Sequence, residues 1–267
     1  MSAKRRRFRL GKSLGKRPLV IRLMDVLVNR LISLCGMKRI AAPPGCIAID
    51  PHVHSSFSSC SVSSIERILV RAARMGLSAI AIMDHNDLRS ADAAAACALD
   101  LKRRKLVPND FCVIPGVEIH TGAGHIGALF VHEPIPVKLG VAGTVQRIHE
   151  LGGLALAVHP YIRSGIGDAL FDAPFDAVEI ESGSVFSRAT AERGHELLAD
   201  KRLANVAKLG SSDAHYVGAI GICYTLVEAS DATPDAIRSA IAEGRCTAHS
   251  SPACLKLRKL LGRILPS

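Results

Sequence analysis

The sequence predicts an α/β fold whose mainly parallel sheet curls into a closed or nearly closed barrel. Three observations carry that expectation. Short apolar runs alternate with helical patterns along the middle of the 267-residue chain, the pattern of repeated strand–helix units. Several runs are continuously apolar rather than alternating, which marks strands covered on both faces. There are also too many such units for a small open sheet. Hydrophobic residues make up 48% of the chain, enough for one large core and far from a disordered composition.

The elements follow in order. Residues 1–9 carry Lys4, Arg5, Arg6, Arg7 and Arg9 with no apolar period and read as a basic arm. Over residues 18–36, Leu19, Leu23, Val26, Leu27, Leu31 and Leu34 fall at helical spacing, with Arg22, Asp25, Asn29 and Ser33 on the other side. Pro18 suits the first turn and Gly36 suits the stop. Arg22, Asp25 and Arg30 interrupt this helix, so it is no membrane span and a poor signal peptide. It reads as a helix packed on the body, a membrane-surface anchor or a nucleic-acid contact. The stretch Ala41-Ala42-Pro43-Pro44-Gly45 reads as a linker.

Beyond the linker the runs predict strands at 47–50, 79–83, 112–114, 117–120, 126–131, 154–158, 177–180, 207–209 and 222–227. Helices are predicted at 64–75, 88–105, 141–151, 188–199 and 234–243. No repeat or low-complexity linker divides this stretch. The expected organisation is a basic arm, amphipathic helix and linker over 1–43, one barrel domain over 44–250, and a basic amphipathic tail over 251–267.

The net charge is +10, but it is unevenly placed. Residues 1–40 hold twelve Lys/Arg against Asp25 alone, and the tail holds Lys256, Arg258, Lys259 and Arg263 with no acid. The middle is mildly acidic. Positive charge therefore says little about the body's ligand and points instead to anionic surfaces for the two ends. Aromatic residues make up 4% of the chain and Trp is absent, which argues against a protein that works by stacking bases on aromatic platforms. The eight cysteines show no C-x-x-C spacing. They read as free thiols in a reducing, cytoplasmic compartment rather than a disulfide framework or zinc knuckle.

Polar residues gather just after the apolar runs. Asp50, His52 and His54 follow the first, Asp84 and His85 the second, and Glu118 follows Pro115-Gly116-Val117. His159 follows Leu154–Val158, and Asp213 and His215 follow Ala207–Leu209. In a parallel barrel these positions share the face where active sites lie. His-x-His and Asp-x-His in extended chain point both side chains one way. Imidazoles with carboxylates suit Zn²⁺, Mn²⁺ or Fe²⁺, and the number of ligands implies two or three ions. His149, His195 and His249 sit in helical or terminal contexts and read as structural.

The ordered motifs Asp50-Pro51-His52-Val53-His54-Ser55, Met83-Asp84-His85-Asn86, Pro115-Gly116-Val117-Glu118-Ile119, Ala157-Val158-His159-Pro160 and Ser212-Asp213-Ala214-His215 resemble the PHP (polymerase and histidinol phosphatase) family over about residues 46–250. The resemblance implies a distorted (β/α)7 barrel with a di- or trinuclear metal centre that hydrolyses phosphoesters. It implies that His52 and His54, with Asp213 alongside, begin one site, that His85 belongs to a second, that Glu118 bridges, and that His159 and His215 serve a further site. Where the family often carries Asp or His, this chain has Cys60, either a thiolate ligand or an inert substitution. The His after Glu118 is His125 or His132, with His125 favoured.

Three functions stay open on the sequence. The first is a metal-dependent phosphoesterase acting on a small phosphorylated substrate, a nucleotide or a nucleic acid. Metal ions would activate water, and His159 or His215 would donate a proton. Arg163, or failing it Arg188, would clamp phosphate. The second is an inert metal-holding module, and the third is an amidohydrolase-type metal hydrolase.

Overall fold

The computed structural model describes residues 19–261, with side chains described from residue 23. The predicted basic arm and the last six residues fall outside that range. The chain runs α1 (Leu19–Leu34), β1 (Cys46–Val53), α2 (Ile65–Met75), β2 (Ala79–Ile82), α3 (Arg89–Arg103), β3 (Cys112–His120) and β4 (His125–Leu129). It continues α4 (Val141–Glu150), β5 (Leu154–Ala157), β6 (Ala177–Ser182), α5 (Arg188–Glu196), β7 (Ala207–Ser211), β8 (Cys223–Glu228), α6 (Pro234–Ala242), β9 (Cys246–Ser250) and α7 (Pro252–Leu261).

One sheet joins all nine strands in the order β7-β6-β5-β4-β3-β2-β1-β8-β9. Its end strand β7 closes against the last two strands, β8 and β9, with Gly210 facing Tyr224 of the one and His249 of the other. Gly210 N–H on β7 donates to Thr225 Oγ1 on β8 (2.9 Å), and that hydroxyl donates back to the Gly210 carbonyl (2.8 Å). A Cβ at Gly210 would lie 2.5 Å from the Tyr224 carbonyl oxygen, so only glycine allows this approach. The result is the nearly closed barrel that the strand–helix alternation predicts.

The pairing is mixed rather than mainly parallel. β1–β2, β2–β3, β5–β6 and β6–β7 are parallel, while β3–β4, β4–β5, β1–β8 and β8–β9 are antiparallel. Four residues separate β3 from β4, too few for the crossover that a parallel neighbour requires. The expected breaks at Pro115-Gly116 do not occur, and the two runs form the single strand β3. Pro115 pairs with Ile82 on one side and Gly116 with Leu129 on the other, so the strand changes neighbours there. β9 was not expected, because Cys-Thr-Ala-His-Ser has no apolar run and stays only partly buried.

Side-chain alternation sorts the core into layers. Ile47 and Ile49 of β1 join Met83, Ile114, Leu129, Leu156, Val158 and Leu209 inside the barrel. Ile237, Ala240 and Ile241 of α6 belong to the same cluster. Ala48 and Val53 share a different cluster with Ile68, Leu69 and Ala72 of α2 and Ala94, Ala98 and Leu101 of α3. α2 is well capped: Ser64 accepts from the Arg67 N–H, and Gly76 ends the helix at φ 86.

Candidate metal centre

The C-terminal ends of the parallel strands converge as the sequence implies. His52 lies in β1 and His54 one residue past it, while His85 follows β2. Glu118 lies in β3, bridged across to His85. His159 follows β5, and Asp213 and His215 follow β7. Because β4 runs antiparallel to β3, its first residue, His125, also lies at this end, paired in register with His120.

Glu118 is fully buried, and its two oxygens face different histidines. Oε1 lies 2.8 Å from His125 Nδ1 and 3.2 Å from His159 Nε2. Oε2 lies 3.2 Å from His54 Nε2 and 2.9 Å from His85 Nδ1. Asp213 Oδ1 sits 3.1 Å from His54 Nε2 and 3.6 Å from His52 Nε2. Four overlapping groups have ligand atoms close enough to share an ion: His52, His54 and Asp213; His52, Glu118 and His159; His54, Cys60, His85 and His215; and His85, His120 and His125.

This pocket attracts positive charge. Burial opposes ionisation of Glu118, yet the charge of His52 and hydrogen bonds to His125 and His159 hold its carboxyl well below the usual range. Asp213 is depressed in the same way, against burial, by His52, His54, His215 and His159. Burial favours neutral rings, but Asp213 and Glu118 carry His54 up to about 10, and Cys60 and Glu118 carry His85 up to about 9. Cys60 is brought down to about 6: burial opposes this, and hydrogen bonds to His215 and His85 outweigh it. Buried Glu118 Oε2 and Asp213 Oδ1 accept no hydrogen bond from any described residue. Ionised carboxylates, a thiol near thiolate and unpaired buried acceptors fit divalent cations, which would displace the histidine protons.

Two of the acids that follow the strands face elsewhere. Asp50 accepts from the Ser212 and Gly221 N–H groups (2.9 Å each), and burial raises it to about 6 despite those bonds. Asp84 accepts from the N–H groups of Ser55 and Ser58 and from the Ser55 hydroxyl. Both carboxylates hold the loops that carry His54 and Asp213, and neither belongs to a ligand group. The backbone at His159 (φ 28) and Asp213 (φ 45) is left-handed, a strain that collects at functional sites.

Two residues of the centre are absent from the sequence reading. Glu179 of β6 accepts from His52 Nδ1 (3.0 Å) and from the His159 N–H (2.9 Å), and it is buried. That bond leaves His52 Nε2 free to ligate an ion, the arrangement by which carboxylates orient metal-binding histidines. An acid inside the run Ala177-Val178-Glu179-Ile180 was the available signal. His120 lies 3.1 Å from His85 and stacks on His125 at 4.4 Å. The Glu118-x-His120 spacing, the same period of two as His-x-His, marks it.

Other candidates fall outside. His132 is exposed and belongs to no ligand group, whereas His125 reaches Glu118. Arg188 extends to solvent and pairs with Glu192 (2.7 Å), so it is already engaged. Arg163 is exposed with no ion-pair partner among the described residues, next to Ser164, whose carbonyl accepts the His125 N–H. His149 and His195 pair with Asp176 and Glu181, away from the centre, and His249 stacks on Tyr224.

The PHP domain profile matches residues 50–216, and a PHP-associated profile matches 199–246. An uncharacterized protein of Methanocaldococcus jannaschii is 35% identical over 145 residues, 49% of this chain and 79% of that protein. A two-domain protein containing a predicted PHP-like metal-dependent phosphoesterase from Bacteroides vulgatus superposes with a TM-score of 0.63 at 20% identity, over 84% of this chain and 73% of that one. A lesion-specific endonuclease from Pyrococcus furiosus superposes with a TM-score of 0.50 at 16% identity, over 76% and 57% of the two chains. At these identities the two structures speak for the fold alone.

Proposed function

The chain belongs to the PHP domain family, and from that membership we propose that it is a metal-dependent phosphoesterase with a centre of two or three divalent ions. The single observation that carries this reading is the buried Glu118 carboxylate, which presents one oxygen to His125 and His159 and the other to His54 and His85. A carboxylate so placed suits a bridging ligand. His52, His54 and Asp213 would complete one site, His125 and His159 a second, and Cys60, His85 and His215 a third. When bound, Mn²⁺, Zn²⁺ or Fe²⁺ ions supply Lewis acidity toward water and the phosphate oxygens.

The chain's own residues supply the rest. His215 Nδ1 is held by the Asp213 carbonyl oxygen (2.9 Å), which leaves Nε2 for the cluster of His54, Cys60 and His85. With its side chain 29% exposed against 2% for His159, His215 is the better placed of the two to hand a proton to the leaving oxygen in a two-ion centre, where the third site is empty and Nε2 keeps its proton. Arg163 is the candidate phosphate clamp, since its exposed guanidinium has no ion-pair partner among the described residues. The substrate is a small phosphomonoester, a nucleotide or an oligonucleotide, and the endonuclease neighbour keeps nucleic acid within the reading. The eight free thiols support a cytoplasmic placement.

The test is phosphate release by the Mn²⁺-loaded protein across aryl phosphate, histidinol phosphate, nucleoside mono- and bisphosphates and short oligonucleotides. Release abolished by His52→Ala and by chelation is the expected result. Release that survives both chelation and His85→Ala overturns the proposal. Less than one ion per chain together with no release across the panel favours an inert binding module instead.

A further inference from the structure

α1 meets the barrel with a mixed side, on which Val28, Leu31, Ile32 and Cys35 join Asp25 and Asn29. Asn29 donates to Asp25 (2.9 Å) and accepts the Gly218 N–H (2.6 Å), and Asp25 is buried. Ile32 and Cys35 pack beside them against Ile222, Cys223 and α7. At 100° per residue the stripe of Leu23, Val26, Leu27, Arg30 and Leu34 then points away from the body. Leu23, Val26 and Leu27 are between 48% and 57% exposed, and Leu34 is 85% exposed. The helix is thus apolar on its outward side as well as its inward one, unlike an ordinary surface helix, whose outward side is polar.

α7 lies alongside. Its Cys254 and Leu257 join the same apolar cluster, and its Lys256 ammonium rests near Gly36, just beyond the end of α1. Arg258 anchors α7 by donating to Glu181 Oε2 (2.8 Å) and to the Ser182 and Val185 carbonyls (2.9 Å each). The opposite side of α7 exposes Leu255 and Leu260 with Lys256 and Lys259. Two neighbouring helices thus present leucines and cations together, and the chain before α1 adds eight further Lys/Arg with no acid.

We propose that the outward faces of α1 and α7 dock on an anionic lipid surface. Exposed leucines among Lys and Arg are the composition of interfacial helices, with apolar burial and charge attraction acting together. A protein groove would offer the leucines a partner but would give no anionic surface to the other fifteen basic residues at the two chain ends, Arg258 being engaged by Glu181. No described helix is long and apolar enough to cross a membrane, so the attachment is peripheral. The inward side of α1 reaches the loop that leaves the metal centre, because Gly218, clamped by Asn29, lies three residues beyond His215.

The test uses the full chain and sedimentation with vesicles of phosphatidylcholine, alone or with about a third phosphatidylserine. The chain is expected to bind the anionic vesicles at least about tenfold more tightly than the neutral ones, and added salt should weaken binding. Leu23→Asp with Leu27→Asp, and separately Lys256→Glu with Lys259→Glu, should each weaken binding about tenfold or more without changing the unfolding temperature, since all four side chains are exposed. Equal binding to both vesicle types, or leucine variants that bind as tightly as the parent, overturns the proposal. So does a parent dimer that dissociates on the leucine substitutions, which would assign the face to a second copy. Binding of a duplex oligonucleotide without vesicle binding would assign it to nucleic acid.

Discussion

Glu179→Gln probes the support of the centre without touching a ligand. The carboxylate accepts two bonds at once, from His52 Nδ1 and from the His159 N–H. Glutamine keeps the shape but offers one oxygen. If that oxygen faces the His159 N–H, the amide NH₂ faces His52 Nδ1. The His52 proton must then move to Nε2, the atom 3.1 Å from His54 Nε2 that looks toward Asp213 and Glu118. If the amide is turned over, its NH₂ opposes the His159 N–H and leaves that buried donor unpaired. Either way a hydrogen bond to a charged, buried group is lost, which costs about 1.5–3 kcal/mol. That corresponds to roughly 10–100-fold in metal affinity, the range found when partners of metal-bound histidines are replaced. Isothermal titration of Zn²⁺ or Mn²⁺ into chelator-treated protein measures it, with far-ultraviolet circular dichroism as the check that the barrel persists. Metal affinity and stoichiometry within about twofold of the parent would refute the assignment of Glu179 as the residue that orients His52.

Three further expectations follow from the same geometry. Iodoacetamide should label Cys60 readily in metal-free protein at neutral pH, and Zn²⁺ should suppress the labelling, as followed by peptide mass spectrometry; suppression that is absent would remove Cys60 from the ligands. Arg258→Ala takes one of three partners from the buried Glu181 carboxylate, leaving Ser250 and His195, and should destabilise the protein by about 1.5–3 kcal/mol in thermal unfolding. Glu181 is held below its usual range, against burial, by Ser250, Arg258 and His195, so its contribution is full above the unfolded carboxylate value of 4.5 and fades as pH falls. Arg258→Ala should therefore flatten the acid side of the stability profile. Gly210→Ala drives a methyl to 2.5 Å from the Tyr224 carbonyl, and denaturant titration should show a loss of about 1–3 kcal/mol.

Much of the centre was legible in the chain because its ligands obey short-range rules. His52 and His54 share a face at a period of two whatever lies beyond them, and the ends of apolar runs mark the barrel rim. The antiparallel β3–β4 hairpin was not legible. Its register joins His120 to His125, a pairing set by the turn between them and by β5 on the far side. β9 escaped because half-buried closing strands need no apolar run. α1 was legible as an amphipathic helix, but which side it turns inward was not.

The strand–helix alternation, the order of the five motifs and the supply of histidines and acids at the strand ends are written in the chain directly. These are properties of neighbouring residues, fixed by side-chain period and by where apolar runs stop. Which acids face the histidine cluster was settled by long-range packing. Asp50 is turned to backbone donors 162 and 171 residues away, while Glu118 and Asp213 meet rings contributed by other strands. A buried carboxylate goes wherever a donor or a positive charge awaits it, and that partner comes from the far end of the chain.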